Sequence, residues 1–135
     1  MEEIIKIAAN SKSVGLKGNA VYRYSLKNKH CGDHIKIEFN TKNEKITNFR
    51  YEGETCIFCQ ASSSLVSKNQ NKLTLQKLFN LKKQIYDYFD NKCKNEQLVI
   101  FDFKQLLKKK NNSRKECITL PINAILNAFE KNDYR

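Results

Sequence analysis

Hydrophobic periodicity changes once along this chain, at Gly53, and the change limits the architectures open to it. Upstream, Val21, Arg23 and Ser25 alternate with Tyr22, Tyr24 and Leu26, and Ile35, Ile37 and Phe39 alternate with His34, Lys36, Glu38 and Asn40. A third alternation sets Ile46, Asn48 and Arg50 against Thr47, Phe49 and Tyr51. Period-two patterning predicts three strands. The polar stretch 41–45 is short enough to close a hairpin, so the strands form an antiparallel meander. Ahead of them, residues 2–9 carry Ile4, Ile5, Ile7 and Ala8 on a short, peripheral helical pattern.

Downstream of Gly53 the spacing becomes helical. Residues 56–68 place Ile57, Ala61, Ser62, Ser64, Leu65 and Val66 on helical intervals, with Thr55 as the expected cap and small residues allowing close packing. Thr74 is an N-cap for 75–79, and 82–90 continues with Ile85, Tyr86 and Phe89 as its apolar stripe. Periodicity leaves 95–103 open between strand, buried helix and turn, and 106–114 reads as a connection rich in Lys and Asn. The last helix spans 117–132, with Pro121 expected in its first turn. Strands first and helices afterward predict an α+β fold, a three-stranded antiparallel sheet packed against several helices. A length of 135 residues fits one domain, 1–135.

Charge and cysteine content bound the function. The chain has 25 Lys+Arg against 14 Asp+Glu, a net charge of +11, which would concentrate any polyanion around it. Most of that charge is Lys scattered among Asn, the pattern of a solvated surface, so nucleic acid is disfavoured and a basic RNA-binding module is kept as a rival. No stretch approaches the roughly 18 apolar residues of a membrane span. Met1-Glu2-Glu3 has acids where a secretory signal carries bases, so the expected location is cytoplasmic, without membrane attachment. In that compartment five cysteines are better explained as ligands or nucleophiles than as a disulfide frame.

Three of them sit where a thiolate would be favoured. Cys31 lies in a turn before a strand, Cys56 follows a strand at a helix start, and Cys117 opens the terminal helix. Unpaired amide hydrogens at a helix start lower a thiol's pKa and improve it as nucleophile and ligand. Twenty-five positions separate the first two and 61 the last two, so a shared site must be assembled by the tertiary fold. Cys56-Ile-Phe-Cys59 is a C-x-x-C, but no second pair and no thioredoxin-like parallel pattern accompany it.

Cys31-Gly-Asp33, then Tyr51-Glu-Gly-Glu-Thr-Cys56, then Gln60-Ala-Ser-Ser-Ser64, then Arg114-Lys-Glu-Cys117-Ile-Thr-Leu120 together resemble the NifU N-terminal, IscU and SufU group of iron-sulfur cluster assembly scaffolds. The resemblance runs from about Val21 to Phe129. It implies a ligand set of Cys31, Asp33, Cys56 and Cys117 for iron or a [2Fe-2S] cluster, with zinc as an alternative occupant. Three thiolates suit either metal, and the carboxylate is a harder, weaker ligand that leaves an exchangeable position. The 61-residue gap, Arg114 and Thr119-Leu120 are closer to the SufU type. IscU-like members carry a His before the third cysteine and a Leu-Pro-Pro-Val-Lys stretch. Here Glu116 precedes Cys117, where SufU-like sequences usually have Lys.

By that resemblance the chain is a carrier, not a turnover enzyme: it accepts sulfur from a cysteine desulfurase, binds iron or a nascent cluster, and passes it to recipient apoproteins. The alternative is a SufU-like zinc-dependent sulfurtransferase with Cys117 as persulfide acceptor. Cys59 is read as a small packing residue, with a sulfur relay as its alternative, and Cys93 as an incidental surface thiol. His30 and His34 are left outside the ligand set, and Arg114 is open between holding an anion and being a solvated base. The run Ser62 to Ser64 has no His and acid around it, so it is packing rather than a nucleophile.

Overall fold

The computed structural model describes residues 1–29 and 31–133. Three strands, β1 (Tyr22–Lys27), β2 (His34–Lys42) and β3 (Lys45–Glu54), form an antiparallel sheet in the order β1-β2-β3. The helices are α1 (Glu2–Ala9), α2 (Ile57–Asn69), α3 (Leu75–Phe89) and α4 (Lys115–Asp133). This is the expected α+β arrangement, with α4 and α2 against the sheet and α3 behind α4.

The β2–β3 hairpin closes on Asn43 and Glu44 alone, with φ of 52° and 68°, so both strands run further into the polar stretch than alternation indicated. Strict alternation would also put Ile46 on the opposite face from Phe49 and Tyr51. A bulge prevents this. Glu38 pairs with Arg50 and Asn40 with Thr47, so Asn48 and Phe49 together face Phe39, and Asn48 takes a φ of 53°. The extra residue resets the pleat, and Ile46, Phe49 and Tyr51 all turn inward. They join Ile35, Ile37 and Phe39 against Ala61, Leu65, Ile118, Ile122 and Ile125 in one core.

Both flanks of the sheet's β3 side are occupied by chain from elsewhere. The Ile46 N–H donates to the Leu73 carbonyl at 2.9 Å, while the Tyr51 N–H donates to Ser13 O and Gly15 N–H to Tyr51 O, at 3.0 and 2.7 Å. The segment after Gly15 then crosses the sheet face away from the helices. Glu38, only 1% exposed, anchors it by accepting the Lys17 and Gly18 N–H groups at 3.2 and 2.9 Å.

Helix boundaries depart from the sequence reading in four places. Cys56, extended at φ −72° and ψ 168°, is the residue preceding α2, in place of Thr55. Thr74 caps α3 as expected, its side chain accepting from the Lys77 N–H at 3.1 Å, but α3 is continuous through 80–81 because Leu78 and Leu81 are buried. The 106–114 connection is ordered: Leu106 and Leu107 are fully buried, and Lys109–Arg114 winds as a 3-10 helix. That turn starts α4 at Lys115, which leaves Pro121 inside the helix beyond its first turn. The proline has no N–H for the Cys117 carbonyl one turn back. The open segment 95–103 resolves into turns and the start of a second 3-10 helix, Phe101–Gln105.

Candidate metal and sulfur site

The turn between β1 and β2 delivers the first two candidate ligands. The Asn28 N–H donates to Asp33 O at 2.7 Å and the Gly32 N–H to Asn28 O at 2.9 Å, closing a loop that Gly32 enters at φ 75°. Where β2 leaves this loop it runs so close to Gly53 of β3 that any side chain there would collide: a Cβ would lie 2.1 Å from the His34 carbonyl oxygen. Cys31 emerges exposed, while Asp33 turns inward and is 7% exposed.

The third and fourth ligands come from two helices pinned together. Cys56 is held where β3 hands over to α2, and its N–H donates to Asp33 Oδ1 at 3.1 Å. Cys117 lies in the first turn of α4 and is 2% exposed. Ser62 Oγ donates to the Ile118 carbonyl at 2.6 Å, so the small-residue face of α2 fixes the distance to α4. Ser62 and Ser63 are completely buried, as a packing surface requires.

These segments bring the four residues together. Cys31 Sγ and Cys117 Sγ are 3.4 Å apart, and the ligand atoms of Cys31, Asp33 and Cys117 all lie within 4.8 Å of one another. Cys56 borders this cluster, with its N–H on Asp33 Oδ1 and its thiol in electrostatic contact with Cys117 and Asp33. The Cys117 thiol donates to Cys56 and thereby lowers the Cys56 pKa to about 7. That same hydrogen bond, with burial and Cys31 nearby, pushes Cys117 well above the ordinary thiol range. Helix-start position had led us to expect a lowered value at Cys117. In the metal-free protein its role as donor prevails, and Cys56 is the more acidic thiol of the two.

Asp33 Oδ2 is buried and has no hydrogen-bond partner among the described residues. An orphaned carboxylate oxygen, on a side chain clustered with the sulfurs of Cys31 and Cys117, costs free energy unless a cation or proton meets it. Soft thiolates with one hard oxygen fit zinc or iron.

The other sequence candidates lie outside this cluster. Cys59, one turn after Cys56 and within electrostatic reach of it and of Asp33, is fully buried in the core, and burial pushes its pKa up. Cys93 is exposed, its thiol 3.7 Å from the Gln84 carbonyl. His34 hydrogen-bonds Ser25 across β1 and β2, and His30 lies outside the described residues. Arg114 is exposed, with its guanidinium 5.8 Å from the Phe58 ring centre. Glu116 accepts from the Tyr86 hydroxyl at 2.9 Å. Sequence reasoning missed Asn28, taken only as a turn residue. It is 6% exposed, with Nδ2 4.0 Å from Cys117 Sγ. An Asn directly after a strand and before C-G-D was the available signal.

Residues 1–132 match the NifU-like N terminal domain. A crystal structure of a nitrogen-fixing NifU-like protein (N-terminal) from Brucella abortus superposes with a TM-score of 0.86 at 18% identity, covering 100% of this chain and 94% of that one. A protein of Fervidobacterium islandicum AW-1, proposed as an iron-sulfur cluster assembly scaffold for the SUF system, gives a TM-score of 0.77 at 25% identity, covering 95% and 94%. No curated protein matches the chain. Among the described residues no helix is long and apolar enough to cross a membrane.

Proposed function

We propose that this chain, which belongs to the NifU-like N-terminal domain family, is a single-domain iron-sulfur cluster assembly scaffold over residues 1–135. Cys31, Asp33, Cys56 and Cys117 hold iron or a nascent [2Fe-2S] cluster as cargo, sulfur arrives on Cys117 from a cysteine desulfurase, and the product passes to recipient apoproteins. Family membership and the likeness to the SUF-system protein support the scaffold. The observation that carries the reading is the meeting of the Cys31 and Cys117 thiols with one unsatisfied buried carboxylate, Asp33, to which Cys56 is tied by its N–H.

The family resemblance supports sulfur acceptance on Cys117. Its thiol holds its proton tightly in the metal-free protein, so that proton passes to the donor's departing sulfur as the Cys117 sulfur attacks the outer sulfur of the donor's persulfide. The donor's S–S bond breaks, its cysteine leaves as a thiol, and a new S–S bond forms on Cys117 with no net oxidation. Asn28 Nδ2, 4.0 Å from Cys117 Sγ, is a donor beside the developing anion. Exposed Cys31 is the open side of the pocket.

The compactness of Cys31, Asp33 and Cys117 favours a second reading, a zinc-dependent sulfurtransferase of the SufU kind. Anaerobic purification followed by metal and sulfide analysis separates the two. Iron with visible thiolate-to-iron absorption supports the scaffold, and one equivalent of colourless zinc with stimulation of a desulfurase supports the transferase. In either case Cys117→Ser abolishes persulfide formation and strongly weakens metal retention. Unchanged sulfur transfer in that variant removes the mechanism.

A further inference from the structure

Beside the thiol pocket, a groove of about 330 Å³ opens where the end of β1 meets α3 and α4. Lys27 and Lys29 are exposed on its lip and Lys82 is half-buried across from them, while Asn28, Leu120 and Asn123 lie deeper. None of the three lysines has an ion-pair partner among the described residues. The lining holds a single carboxylate, Glu116, which accepts from the Tyr86 hydroxyl. With three lysines against that one acid, the groove presents a net positive field to whatever enters it.

A second feature narrows the occupant. Asn123 Oδ1 is buried and accepts no hydrogen bond among the described residues, so an occupant carrying an N–H group relieves that loss. No aromatic side chain lines the groove, which leaves a nucleic acid without a stacking surface. β1 is an edge strand, which an extended chain can follow. At its inner end the groove reaches Asn28, whose Nδ2 is 4.0 Å from Cys117 Sγ.

We infer that this groove docks an extended acidic peptide segment of the sulfur donor, its carboxylates meeting Lys27, Lys29 and Lys82 and one backbone N–H meeting Asn123. The identity of the occupant as a sulfur donor rests on the scaffold reading above; the acidic-peptide chemistry rests on the groove.

The test is a titration of the isotope-labelled full-length protein with an acetylated peptide of alternating Glu and Ser at low ionic strength, followed by NMR. Amide shifts are expected around Lys27, Lys29, Lys82 and Asn123, and the Lys27→Glu/Lys82→Glu double variant binds about tenfold more weakly. Its metal content per chain stays that of the wild type. Asn123→Ala weakens binding with no change in salt dependence. Shifts centred instead on Lys108, Lys109 and Lys110, unchanged affinity in the double variant, or displacement of the peptide by an oligouridylate that binds more tightly each overturn the proposal. Sulfur acceptance is read separately. A Cys117→Ser protein that still accepts sulfur sinks the scaffold mechanism while leaving the peptide titration intact, and a silent titration leaves persulfide formation on Cys117 standing.

Discussion

Asp33 and Glu38 are both buried carboxylates on or beside the same strand, 7% and 1% exposed, and they are treated in opposite ways. Each oxygen of Glu38 accepts a backbone N–H, from Lys17 and Gly18, so the side chain ties the 15–20 segment across the sheet and has nothing left to offer. Asp33 has one oxygen on the Cys56 N–H and the other without a partner among the described residues, beside the thiols of Cys31 and Cys117. Full satisfaction marks a structural carboxylate. Partial satisfaction beside soft ligands marks one that is kept available.

Swapping or truncating these groups puts that contrast at risk. The largest stability loss is expected for Glu38→Ala, which removes two hydrogen bonds to a charged acceptor at about 1.5–3 kcal/mol each. Urea unfolding measures it, and zinc or iron affinity should stay within about twofold. A Glu38 variant that loses its metal would mean that the far face of the sheet also shapes the site. Asp33→Ala should do the converse: metal-free stability within about 1 kcal/mol of wild type, since one N–H bond is lost and an orphan oxygen removed, but metal exchange at least about tenfold faster in a chelator-competition assay. If exchange is untouched, Asp33 is merely a turn residue.

Two smaller effects refine the picture. Ser62→Ala removes the hydroxyl that binds the Ile118 carbonyl and should cost about 1 kcal/mol in thermal or urea unfolding, with a modest loosening of metal affinity because the α2–α4 spacing relaxes. Cys59→Ala should cost about 1 kcal/mol through lost packing and leave the rate of sulfur loading on Cys117 unaltered. A slower rate would revive the relay reading that its burial disfavours.

The candidate site was legible to an uneven degree. The turn before β2 and the small-residue face at 61–64 are local signals that lie where pattern alone put them, while α2 starts one residue later than its pattern indicated. The bulge at Asn48 was hidden because one inserted residue changes no composition and shifts a period-two pattern only after the fact. Pro121 was misjudged because the helix start depends on the 3-10 turn before it, whose buried anchor residues Leu106 and Leu107 sit in a lysine-rich stretch. Asn28 went unnoticed as a neighbour of Cys117 because the two are 89 positions apart.

Hydrophobic periodicity and turn chemistry are local properties, so the chain alone determined its order of strands and helices, and the motifs carried the family resemblance. Which thiol keeps its proton, which carboxylate is left half-satisfied, and which lysines share a groove were decided only by packing. Those properties depend on distances between residues far apart in sequence, and such distances exist only once the sheet, α2 and α4 have closed on one core.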